Sequence, residues 1–315
     1  LMPRYLRFVR GVVDTTDLPL NVSREMIQEN PLVGAIKKGV TNRVLTDLAK
    51  LADQDAETFA KIWENFGAVI KEGLYEDYER RAQLLGLSRF RTTASGEGLR
   101  SLKDYVGALR ENQTAIYYIA GDDAGRIATS PLLEGFKARG LEVLLLSDHV
   151  DSFWASAAPE FEGKPFRSVT QGAADLALIP LVDESAAPSA EISDQIVSLL
   201  ASMKATLADE VADVRTSDRL TDSAVCLVAS DKGPDRQFER LLSAAGRIDS
   251  AAKPILEVNP RHAMVAALAT VGEVGLREDV AHLLLDTARV LDGDRPINAS
   301  RFAERLARVM ERSLV

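Results

Sequence analysis

The sequence predicts a multi-domain chain of mixed α/β and α+β class, and three observations carry that prediction. Residues 114–146 run strand, helix, strand. A short stretch of small and polar residues at 186–190 interrupts the pattern, and the chain closes on two amphipathic helices near 276–292 and 299–314. With 315 residues, 46% hydrophobic and 27% charged, there is material for two or three domains.

Taken in order, residues 4–13 read as a strand. The odd start at Leu1, immediately before it, reads as the cut end of a longer chain. Residues 19–28 form an arginine loop: Pro19 disfavours helix in the residue before it, and Asn21 or Ser23 can cap a first turn. Arg24 then stands in or beside a helix start with Gln28 on the same face. Asn30 caps a helix beginning at Pro31, with Leu32, Ile36, Val40, Val44 and Leu48 along one side.

Residues 56–86 carry Phe59, Ile62, Trp63, Phe66, Ile70, Leu74 and Tyr78 at three- and four-residue steps, the pattern of an amphipathic helical hairpin. Thr114 to Ala120 is a strand, Asp123 to Gly140 a helix ended by glycine, and Leu141 to Leu146 a second strand, parallel to the first and reached by a right-handed crossover. Beyond the linker come a helix near 191–208, strands near 213–217 and 223–229, a helix near 234–246, a strand at 254–258 and three helices near 260–270, 276–292 and 299–314. These elements divide the chain into 1–53, 54–88, 89–185 and 186–315.

Several function classes lack the residues they need. A net charge of -9 is wrong for sequence-independent nucleic-acid binding, which requires concentrated basic charge. The single cysteine, Cys226, lies in an apolar run and reads as a small buried hydrophobe. No apolar stretch approaches the roughly 20 residues that cross a bilayer, and no signal peptide is recognisable, so a soluble cytoplasmic protein is expected. His149, His262 and His282 fall in separate elements without zinc-ligand spacing. The loop Gly121 to Gly125 carries two aspartates that repel phosphate, and reads as a helix cap; Asp148 and Asp151 read as turn and cap residues. Arg24 could serve a phosphate or pair with Glu25 or Glu29, and the residues alone leave both open.

The last two helices present Val280, Leu283, Leu284, Ala288 and Leu291 on one and Phe302, Leu306, Val309, Met310 and Leu314 on the other. Two such stripes cannot both be covered by each other, and a homodimeric four-helix bundle would cover the remainder.

Several longer segments carry a resemblance. Tyr5 to Asp14 together with Asp17 to Glu25, then Phe66 to Gly73, Ser130 to Glu134, Arg219 to Ser223 and Leu256 to Pro260, make the chain similar over essentially its whole length to the bacterial branch of the ninety-kilodalton heat-shock chaperone family. The resemblance implies the latter part of a middle domain with a helical coil, followed by a carboxy-terminal dimerisation domain. It implies an ATPase domain upstream that uses ATP and Mg, neither of them bound by this chain alone. Arg24 would reach the terminal phosphate of ATP held by that domain, with Gln28 supporting the loop. Client proteins would be bound through an amphipathic helix matching Pro234 to Gly246, where Phe238 stands in place of a common methionine with Leu241 and Leu242 nearby. The dimer interface would involve Leu283, Leu284, Leu291, Phe302, Leu306, Val309 and Met310. Phe238 could face outward or pack inward, and a purely structural dimerisation scaffold is the alternative reading.

Overall fold

The computed structural model describes residues 2–16, 31–157, 160–171, 176–183, 192–230, 233–248 and 252–314. The arginine loop and the linker at 186–190 lie outside the described residues.

Three helices open the described chain: α1 (Pro31–Gln54), α2 (Ala56–Glu76) and α3 (Arg81–Leu87). Asp55 separates the first two and caps α2, its side chain accepting from the Thr58 N–H. The expected strand over residues 4–13 does not form. Arg4–Leu6 is a single 3-10 turn, and no strand occurs elsewhere in residues 2–16. Among the described residues no strand pairs with this segment. Its apolar side chains bury on helices instead, with Tyr5 and Leu6 almost wholly buried, the Tyr5 hydroxyl donating to Asp77 at 2.7 Å, and Phe8 stacked on Phe66 at 4.3 Å.

A six-stranded sheet follows, in the order β2-β1-β4-β3-β6-β5. Its strands are β1 (Arg89–Thr92), β2 (Arg100–Ser101), β3 (Ile116–Ala120), β4 (Leu144–Leu146), β5 (Glu160–Phe161) and β6 (Lys164–Ser168). The central strand β3 pairs in parallel with β4 (Tyr118 opposite Leu144) and with β6 (Ile116 opposite Phe166), as the strand, helix, strand pattern predicts. Between β1 and β3 lies the short α4 (Leu102–Gly107), opened by a Ser101 and Asp104 capping box.

The expected helix over 123–140 is broken into α5 (Ala124–Ala128), a 3-10 turn (Pro131–Leu133) and α6 (Glu134–Lys137). Pro131 supplies no N–H and disfavours helix at Ser130, so the chain must restart there. Gly140, at φ +62°, closes the segment in the left-handed region. The Gly121 loop is the cap the sequence suggests: Asp123 accepts from the Arg126 N–H at 2.7 Å, and Asp122 pairs with Arg126. A Cβ on Gly121 would fall 2.4 Å from the Ile127 side chain, so the glycine serves close packing.

The remaining elements are α7 (Asp151–Ala157), α8 (Asp194–Thr206), β7 (Asp213–Thr216), β8 (Val225–Val228), α9 (Arg236–Ala244), β9 (Ile255–Val258), α10 (Ala263–Thr270), α11 (Val274–Leu291) and α12 (Ala299–Ser313). The second sheet has the order β7-β9-β8, with β7 parallel and β8 antiparallel to β9.

Alternation along the strands builds three cores. Ile116 and Tyr118 of β3 face a core with α2 and α3, whereas Tyr117 and Ile119 face the other way. That second face meets Cys226 and Val228 of β8 and Ile255 of β9, so one core runs across the expected boundary at 186–190. Val225 and Leu227, the alternate residues of β8, join a third core under α8, α10 and α11. Cys226 is 3% exposed, and burial pushes its thiol pKa far above the ordinary value, consistent with an inert apolar role.

Polar groups stitch the same junction. The Glu134 carboxylate accepts from the backbone N–H groups of Thr221 (2.7 Å), Asp222 (2.9 Å) and Ser223 (3.1 Å). Arg219 donates to the Val169 carbonyl at 2.6 Å while its Nε sits 2.9 Å from Glu257. Burial alone would raise the pKa of Glu134, but the N–H donors favour the ionised form and hold it below its ordinary 4.5. A depressed carboxylate stabilises above the unfolded value and loses that contribution as pH falls. The stability gap between the parent chain and Glu134→Gln should therefore be full near neutrality and shrink as pH drops through 4.5 and below, as urea titrations at several pH values would record.

Candidate functional site

Two surfaces gather the sequence-predicted residues. The first is α9. Asp235 caps it, one oxygen accepting from the N–H groups of Gln237 (2.9 Å) and Phe238 (3.1 Å). The other oxygen accepts from the hydroxyls of Ser168 and Thr170, which ties the helix start to the end of β6. One face of α9 is charged: Arg236 and Arg240, a turn apart, both donate to Asp292 in the turn after α11, and Arg240 also reaches Asp294 at 2.9 Å.

Phe238, Leu241 and Leu242 lie on α9 half-buried, so neither extreme expected for Phe238 is realised. The Phe238 ring meets Phe153 of α7 edge-on at 6.3 Å, and Phe153 meets Tyr75 of α2 at 6.2 Å. Phe153 and Tyr75 remain 40% and 50% exposed, making an aromatic surface that joins three elements far apart in sequence. Sequence reasoning missed Phe153. The only local signal was an aromatic pair, Phe153 and Trp154, in a helix too short for periodicity to show which ring turns inward.

The second surface is the terminal helix pair. Asn298 caps α12 by accepting from the Arg301 N–H at 3.0 Å. Arg308 grips Asp279 of α11 with two hydrogen bonds at 2.8 and 2.7 Å, and these hold the Asp279 carboxyl below its usual range. Arg312 pairs with Glu273. Charge thus fixes α12 alongside α11, yet α12 buries none of its residues. Leu306 and Met310 stand 39% and 54% exposed, Leu291 39%, and Phe302 and Val309 are half-buried.

The α11 stripe requires a correction. Leu284, expected at the interface, is 3% exposed and sits in the third core with Ala281, Leu285 and Ala288, because α11 lies on the second sheet. Leu283 is half-buried beside it. Val290 and Ile297, which were not singled out from the sequence, are 51% and 61% exposed.

Arg24 and Gln28 fall outside the described residues. Asp148 and Asp151 are more than turn residues, since both hold the buried Lys71. His262 caps α10, accepting from the Met264 N–H, and His282 lies 3.4 Å from Glu210. Among the described residues there is no cluster of metal-ligating side chains, and no helix is long and apolar enough to cross a membrane.

The family model described as Hsp90 protein matches residues 1–315. The chain belongs to the Hsp90 family. Among the relatives similar to this family member is a protein of Mesorhizobium japonicum named Chaperone protein HtpG, 64% identical over 316 residues that cover all of this chain and 50% of the relative. Proteins of the same name from Azorhizobium caulinodans (64% over 322 residues, 50% of its length) and Nitrobacter winogradskyi (62% over 316 residues, 49%) match in the same way. The chain therefore spans about half the length of the curated relatives it matches.

Proposed function

We propose that this chain is the client-binding and dimerising part of an ATP-dependent molecular chaperone. The match to the Hsp90 family over residues 1–315 carries the reading. The aromatic surface of Phe238 and Phe153, continued by Leu241 and Leu242, offers partly folded proteins an apolar contact that is neither fully covered nor fully free. The exposed stripe of α12 supplies a self-complementary face for a homodimer.

Arg24 and Gln28 would complete a nucleotide site whose ATP and Mg are held by an ATPase domain outside these 315 residues. Phosphoryl transfer concentrates negative charge, and a guanidinium brought in by domain closure stabilises that charge only in the closed state. By itself the chain would hydrolyse no ATP.

Two measurements test the reading. A labelled, permanently unfolded protein should bind the chain saturably, and Phe238→Asp should weaken that binding at least tenfold with the circular dichroism spectrum unchanged. No binding by the parent chain would leave a dimerisation scaffold as the better account. In the whole protein, Arg24→Ala should lower the ATP hydrolysis rate by on the order of 10³, the lower end for a guanidinium delivered to a γ-phosphate, with nucleotide affinity little changed.

A further inference from the structure

A cavity of about 630 Å³ lies beneath the charged face of α9. Its walls are that face, the end of α11 at Arg289, the turn carrying Asp294 and Arg295, and the approach to β9 at Lys253 and Pro254. Five cationic side chains line it: Arg236, Arg240, Lys253, Arg289 and Arg295. Of the lining residues Glu210, Glu239 and Asp294 oppose them, and Asp292 adds a fourth carboxylate against Arg236 and Arg240.

These charges are unequally satisfied. Arg236 and Arg240 are taken by Asp292 and Asp294. Glu239 is engaged by the Ala252 N–H at 2.6 Å. Lys253 donates to the Ala208 carbonyl at 3.0 Å and pairs with no carboxylate among the described residues. Arg289 comes no nearer to Glu210 than 3.9 Å, and its Nε is buried with no hydrogen-bond partner among the described residues. Arg295 has neither an ion pair nor a hydrogen-bond partner among the described residues.

A buried guanidinium N–H without an acceptor is unfavourable, and cations converging on one cavity repel each other. A tetrahedral oxyanion answers both problems, because the guanidinium fork matches phosphate geometry and a doubly charged group can serve Arg289, Arg295 and Lys253 together. We propose that this cavity is a binding site for a small anion bearing a phosphate group, held by Arg289, Arg295 and Lys253. The cavity is larger than inorganic phosphate requires and falls in the range of small-molecule sites. Occupancy would tie the approach to β9 at Lys253 to the end of α11 and the turn that follows it. The site stands apart from the nucleotide role proposed for Arg24 and does not depend on client binding.

Inorganic phosphate is the probe, titrated into the 315-residue chain against sodium chloride of equal ionic strength. Heat of binding and the arginine Nε–H nitrogen resonances are the two readouts. Saturable binding in the millimolar range is expected, with one buried arginine resonance moving. Arg295→Gln, at an exposed position, and Arg289→Gln should each weaken binding at least tenfold while the fold persists. The proposal is overturned if phosphate acts no differently from chloride, or if both variants bind phosphate as the parent does.

Discussion

Replacing Lys71 with alanine should destabilise the chain by about 3–5 kcal/mol, the cost of leaving a buried carboxylate without its counter-charge. Lys71 is 5% exposed on α2, and its ammonium donates to Asp148 at 2.8 Å and to both oxygens of Asp151 at 2.9 and 3.1 Å. Burial alone would lower the lysine pKa, but the two aspartates outweigh it and raise the value, so the group is charged. Asp151 is 1% exposed and also accepts from Trp154 Nε1 at 2.7 Å, so water cannot take over when the lysine is gone.

The same aspartate opens α7, which carries Phe153 to the Phe238 ring. Loss of the lysine should therefore loosen the aromatic surface as well as the fold. Denaturant midpoints measure the first effect. The double variant Lys71→Met/Asp151→Asn, which removes both charges and leaves an acceptor for Trp154, should recover most of the loss. A single variant within 1 kcal/mol of the parent would show that the cluster is not the structural clamp described.

The second large effect is on assembly. Leu306→Asp with Met310→Asp should convert a dimer into a monomer in sedimentation, with no loss of helix. Both residues sit one turn apart on α12 and are exposed, so neither substitution empties a core. Each carboxylate would instead have to be desolvated in any interface formed by that stripe, which is costly without a partner. Leu284→Asp would be no equivalent test, since that side chain is already packed inside its own chain and the variant would fail in folding. A parent chain that sediments as a monomer, or a double variant that remains a dimer, would remove α12 from the interface.

The contrast between Leu284 and Leu306 shows where sequence reading stops. Both are leucines on an apolar stripe of a long terminal helix. Periodicity identifies the stripe but not what covers it. The second sheet covers α11, whereas α12 buries none of its residues among those described. Phe153 and Trp154 pose the same problem within one short helix, and only packing decides that the tryptophan is fully buried while the phenylalanine meets α9.

Local pattern by itself determined the long helices, the helix cap in the Gly121 loop, the parallel pairing of β3 with β4 and the apolar fate of Cys226. Longer matching segments determined the family. Tertiary structure alone decided that residues 4–13 pack as a turn on helices rather than as a strand, and that one core crosses the expected domain boundary. It also decided that Asp148 and Asp151 answer a lysine 77 and 80 residues away, and that Glu134 grips a loop 87 residues further on. The physical reason is range. Propensity, capping and periodicity act over a few residues and leave a local trace, whereas burial and ion pairing join groups whose separation in sequence is unconstrained until the chain has folded.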